Sequence, residues 1–64
     1  MAKQKIKKGQ IWNHTPSGQD YTVERVGKIK IPHVGWFSSV SYKDEKGNFF
    51  TRFREDFENK FVKL

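Results

Sequence analysis

Cysteine is absent from this 64-residue chain, so no disulfide braces it and no thiolate cage can hold a metal. That absence suits a reducing compartment, and the cytoplasm is the expected location. No apolar run approaches the ~20 residues that cross a bilayer, and no hydrophobic stretch follows the charged N-terminus as a signal peptide requires. Membrane association is therefore not expected. The five glycines are scattered singly at turn positions, so no phosphate-cradling loop exists. The two histidines, His14 and His33, sit in expected loops with no carboxylate at ligand spacing, and neither a metal nor a cofactor is expected. Ser38, Ser39 and Ser41 share a strand with nothing placed to activate a nucleophile. Glu55, Asp56 and Glu58 read most simply as the acidic start of a helix rather than as paired catalytic carboxylates. A chain this short also leaves little interior for a substrate pocket of the usual ~300 Å³ or more. No catalytic residue is expected, and the chain reads as a small non-enzymatic binding module.

What remains is positive charge and aromatic rings. The formal net charge is +6 and only 34% of residues are hydrophobic, a balance that on its own would suit disorder. Six Phe, two Trp and two Tyr argue against it, because each ring buries roughly 150–250 Å² when enclosed. One domain of this length hides only about 60% of its unfolded surface. Its stability belongs in the range of about 3–10 kcal/mol.

Residues 1–8 carry Lys3, Lys5, Lys7 and Lys8 and read as a flexible basic arm, within which Ile6 either rides along or opens an edge strand. From Gly9 to Leu64 a single small barrel domain is expected. Ile11-Trp12 opens a first strand, and Thr15-Pro16-Ser17-Gly18 makes a tight turn. Tyr21-Thr22-Val23 alternates as a second strand. The alternation slips at Val26, which predicts a bulge near Glu24-Arg25. Ile29 and Ile31 alternate with Lys28 and Lys30, and Pro32 confines that strand to an edge. Trp36–Lys43 and Asn48–Arg54 form a hairpin around a four-residue loop, Asp44 to Gly47. That loop places Trp36, Val40, Tyr42, Phe49 and Phe53 on one face; a three-residue loop would set Val40 opposite Arg52 and mix the faces. Phe57, Phe61 and Leu64 share one stripe of a helix expected over Glu55–Leu64, docked onto the sheet to close one end of a barrel. The fold class is thus mainly β: a four- to five-stranded antiparallel barrel-like sheet with a short C-terminal helix, of Src-homology-3-type or Tudor/KOW-like form.

The segments Gly9-Gln10-Ile11-Trp12, Gly18-Gln19-Asp20-Tyr21-Thr22-Val23, Tyr42-Lys43-Asp44-Glu45-Lys46-Gly47, and Thr51-Arg52 followed by Glu55-Asp56-Phe57 carry a resemblance. Together they resemble a pattern in small uncharacterised proteins of bacteria and their phages. The resemblance implies a small barrel of phage or mobile-element origin and brings no active-site residue with it. Phe53 departs from the proline that often follows Thr-Arg in that pattern.

On the expected register the hairpin's outer face presents Phe37, Ser39, Ser41 and Lys43 beside Phe50, Arg52 and Arg54. Rings among cations suit a single-stranded nucleic acid, whose bases stack while its phosphates are neutralised. Lys28, Lys30 and the arm lysines Lys5, Lys7 and Lys8 add sequence-independent attraction. Alternatively the rings anchor a protein partner, or the terminal helix or a second copy covers Phe37 and Phe50. Monomer and weak homodimer are both compatible with the sequence.

Overall fold

A computed structural model describes residues 5–64. Five strands, β1 (Ile11–His14), β2 (Gln19–Ile31), β3 (Gly35–Lys43), β4 (Phe49–Phe53) and β5 (Phe61–Lys63), form one antiparallel sheet in the order β4-β3-β2-β1-β5. A seven-residue helix, α1 (Arg54–Lys60), joins the two edge strands. Seven residues of helix reach only ~10 Å, so the sheet must curl to bring its edge strands to the two ends of the helix, with β4 and β5 unpaired to each other. The chain is a mainly β, barrel-like fold with its helix near the C-terminus.

The core is aromatic, as the composition demands. Trp12, Tyr42, Phe57 and Phe61 are buried with Ile6, Val23 and Val40, and Tyr21 packs against them. Phe57 and Phe61 stack with centroids 4.1 Å apart, and Trp12 meets Phe57 edge-on at 5.2 Å. The indole nitrogen of Trp12 donates to Gln10 Oε1, so burying the ring strands no donor.

Three expectations need correction. The first concerns the 1–8 arm. Residues 1–4, Lys3 among them, lie outside the described residues. Within 5–8, Ile6 is only 7% exposed and belongs to the core. Lys7 N donates to Gln10 Oε1 and Gly9 N to Val23 O, so this stretch is tied to the domain. Enclosing one isoleucine stabilises by about 1.5–3 kcal/mol, enough to hold a short segment down.

The second concerns the helix, which ends at Lys60, not Leu64. β1 has a free edge, and Phe61–Lys63 fills it by pairing with Trp12–His14. Thr15 N and Thr15 Oγ1 both donate to Lys60 O, satisfying a carbonyl at the helix end. Ladder bonds therefore override helical periodicity, and Leu64 is left 67% exposed.

The third concerns hairpin register. Asp44 N donates to Asn48 O, closing a three-residue loop in which Gly47 takes φ 86°. Asp44 Oδ1 accepts from the N–H groups of Lys46 and Asn48, fixing the turn. Tyr42 then faces Phe50, and Val40 faces Arg52. The sheet admits a cation on its concave side because Arg52 has partners there. Its Nε donates to Tyr42 Oη at 2.8 Å, its Nη1 to Asp56 Oδ2 at 2.7 Å, and its guanidinium lies 5.8 Å from the Phe61 ring centroid. Phe49 and Phe53 consequently turn outward. The expected bulge is present: Val23 pairs with Tyr42 and Arg25 with Ser41, leaving Glu24 as the extra residue.

Candidate nucleic-acid interface

β2 and β3 outrun their neighbours. β4 reaches only as far as the Ser39↔Phe53 pair, and β1 pairs with β2 only from Gln19 to Thr22. The last pairs, Lys28↔Ser38 to Ile31↔Gly35, form a two-stranded ribbon about 13 Å long beyond the sheet. At its tip Val34 N donates to Ile31 O, His33 takes φ 65°, and Gly35 takes φ 127°. Positive φ at a non-glycine residue is strained, and a tight reversal requires it here.

The ribbon and the parts of β2 and β3 that adjoin it are one-signed. From Arg25 to Lys43 the sequence contains no carboxylate but carries Arg25, Lys28, Lys30 and Lys43. Lys43 is held by Glu24 at 2.8 Å, and this contact pushes the Glu24 carboxyl below its usual range. Among the described residues Arg25, Lys28 and Lys30 have no carboxylate within ion-pair distance. Lys28, Lys30 and Trp36 share one face of the ribbon, where Lys30 Nζ sits 5.9 Å from the Trp36 ring centroid. Trp36 is 64% exposed, against 4% for Trp12. The opposite face carries Ile29, Phe37 and Arg25, whose side chain runs across Gly27.

The surroundings of the ribbon are electrically unequal. On the β2 side, Gly9 and Gln10 bond to Val23, which brings Lys7 and Lys8 beside the bulge; the charge of Lys8 is felt at Glu24. On the β3 side lies α1. An open groove of about 680 Å³, lined by Phe37, Ser38, Phe53 and the Arg54–Asn59 stretch, separates ribbon from helix. It is larger than chain length suggested because it lies between two projecting elements rather than inside the barrel. Its helical wall brings Glu55, Asp56 and Glu58. Hydrogen bonding from Arg52, with Lys60 nearby, holds the Asp56 carboxyl below the usual range, and Arg54 pairs with Glu58 at 3.5 Å.

The residues expected to form one surface are thus divided. Phe37 and Lys43 lie on the convex side of β3, and Phe50 and Arg52 on the concave side. Phe50 leans on Tyr42 and Tyr21. Arg54 belongs to α1. Lys28 and Lys30 meet on the ribbon, with Lys5, Lys7 and Lys8 in the segment that joins β1. Sequence reasoning missed Trp36, Arg25, Phe49 and Phe53 as exposed groups. The nineteen-residue stretch without a carboxylate was the available signal for the first two.

No family model, curated protein or solved structure matches the chain. Among the described residues no group of His, Asp and Glu is placed to hold a metal ion. No helix is long and apolar enough to cross a membrane.

Proposed function

We propose that this protein binds single-stranded nucleic acid along the β2–β3 ribbon, with no enzymatic step. The observation that carries the reading is the exposed Trp36 flanked by Lys28 and Lys30 on a projection that lacks carboxylates. A base stacks on the Trp36 ring, while Lys28, Lys30, Arg25, Lys7 and Lys8 hold phosphates along the β2 side. The acidic helix on the β3 side repels the backbone and keeps the strand on one flank. A double helix is a poorer fit, since stacking on Trp36 needs an unpaired base face. The resemblance to small barrels of bacteria and phages agrees with a compact binding module in the cell interior.

The two tryptophans make the test direct. Trp12 is enclosed, so quenching on addition of a single-stranded oligonucleotide reports Trp36. Trp36→Phe abolishes the quench, and Trp36→Ala weakens binding by about 1–3 kcal/mol, the range for one stacked base. If Lys5, Lys7, Lys8, Arg25, Lys28 and Lys30 each neutralise a phosphate, single-strand affinity falls roughly 300-fold between 50 and 200 mM salt. Absence of quenching and binding at 50 mM salt would sink the reading.

A further inference from the structure

The open edge of β4 is built to pair with itself. Asp44 and Asn48 are a hydrogen-bonded pair, so by antiparallel alternation Tyr42/Phe50 and Val40/Arg52 are as well. The N–H and C=O groups of Phe49, Thr51 and Phe53 therefore point away from β3, toward the open edge. The strand reads Phe-Phe-Thr-Arg-Phe and is nearly symmetric about Thr51. A second copy laid antiparallel with Thr51 on the two-fold axis sets Phe49 against Phe53, Phe50 against Arg52, and Thr51 against Thr51. Every outward N–H then meets an outward C=O. Rings lie beside rings on the convex face, and on the concave face each Phe50 stands opposite the aliphatic stem of Arg52 across the axis.

The open edge of the ribbon is defended and this one is not. The ribbon edge carries Lys28 and Lys30 and runs into Pro32, features that deter stray pairing, whereas β4 holds neither lysine nor proline. Its single cation, Arg52, is turned inward to Asp56. Phe49 is 69% exposed, Phe53 44% and Phe50 41%.

We propose that β4 is a homodimer interface, joining two five-stranded sheets into one continuous sheet through an antiparallel β4–β4 ladder centred on Thr51. Its size sets its strength. The three phenylalanines offer about 300 Å² per protomer, below the ~800 Å² of a standard interface. The dimer is therefore weak, with Kd between about 10 µM and 1 mM.

The test is sedimentation of the full chain without nucleic acid, from about 10 µM to 1 mM, alongside amide exchange by NMR. Wild type associates to a dimer over this range, and the amides of Phe49, Thr51 and Phe53 gain protection as concentration rises while Phe50 and Arg52 change little. Thr51→Lys places two like charges on the axis and raises Kd at least ~10-fold. Thr51→Glu does the same, and an equal mixture of the two variants associates again. Thr51 is exposed, and the NMR spectrum confirms that each variant is folded. Wild type that stays monomeric at 1 mM overturns the proposal. So does Thr51→Lys associating like wild type, or a mixture that fails to recover. None of these outcomes bears on the nucleic-acid reading, which uses the ribbon.

Discussion

Truncating Phe57 tests whether α1 closes the barrel. The side chain is fully buried, stacked 4.1 Å from Phe61 and 5.5 Å from Tyr42 between centroids. Phenylalanine-to-alanine changes in cores cost about 3–5 kcal/mol, from lost transfer energy and the cavity left behind. A domain of this size holds only about 3–10 kcal/mol, so Phe57→Ala removes a third to all of it. Phe57→Leu keeps apolar bulk while forfeiting the stacked ring, and should cost about 1–2 kcal/mol. With a urea dependence near 1 kcal/mol per molar, its midpoint falls by about 1–2 M. The assay is urea unfolding followed by tryptophan fluorescence, because Trp12 lies against Phe57. Leu64→Ala is the control: the residue is 67% exposed and the change should stay within about 0.5 kcal/mol. Equal shifts for Phe57→Leu and Leu64→Ala would refute the closure argument.

Arg52→Met should cost about 1–2 kcal/mol, because Tyr42 Oη loses its donor in a site where Tyr42 is only 4% exposed. Adding Tyr42→Phe should cost less than the sum of the single changes, a coupling read from a double-mutant cycle of urea midpoints. Acid should destabilise the fold. Asp56, held down by Arg52, Asp44, held down by Asn48, and Glu24, held down by Lys43, all have folded pKa values below their unfolded ones. Their contribution is present above the ordinary carboxylate range and is lost as pH falls through the folded values. The thermal midpoint by circular dichroism should be level from pH 8 to about 5 and drop below about 4; a midpoint that rises on acidification would contradict these contacts.

Much of this fold was legible in the residues because local and global signals agreed. The slip between Val23 and Val26 announced the bulge, and Thr15–Gly18 announced a turn in which Gly18 takes φ 76°. The misreadings arose where a side chain broke its own class. A cation on a strand reads as outward, and for Arg52 that expectation requires a four-residue loop and exchanges the faces of Phe49, Phe50 and Phe53. The guanidinium faces inward because Tyr42 and Asp56, one on β3 and one on α1, together satisfy it. No spacing rule along the chain reveals a partner set that folding assembles. Lys28 and Lys30 were found as basic candidates because their alternation with Ile29 and Ile31 is purely local. Parity with Val40 and Tyr42 assigns Trp36 to the core. Parity is indeed shared, but the core ends before Trp36 is reached, and strand length relative to neighbours is invisible without topology.

The extra residue at Glu24 has a consequence for handed design. A strand alternates sides with every step, so an odd insertion inverts everything downstream of it unless a bulge absorbs the extra residue, as Glu24 does here. Glu24 lets Val23 and Val26 serve the same side while aiming Lys28 and Lys30 along the flank that bears Trp36. Excising that one position would straighten the strand and keep every pair, with Arg25 still opposite Ser41 and Lys30 still opposite Trp36. Losing a residue elsewhere in β2 while Glu24 stays would instead exchange the two sides, setting isoleucines beside the indole and lysines beside Phe37.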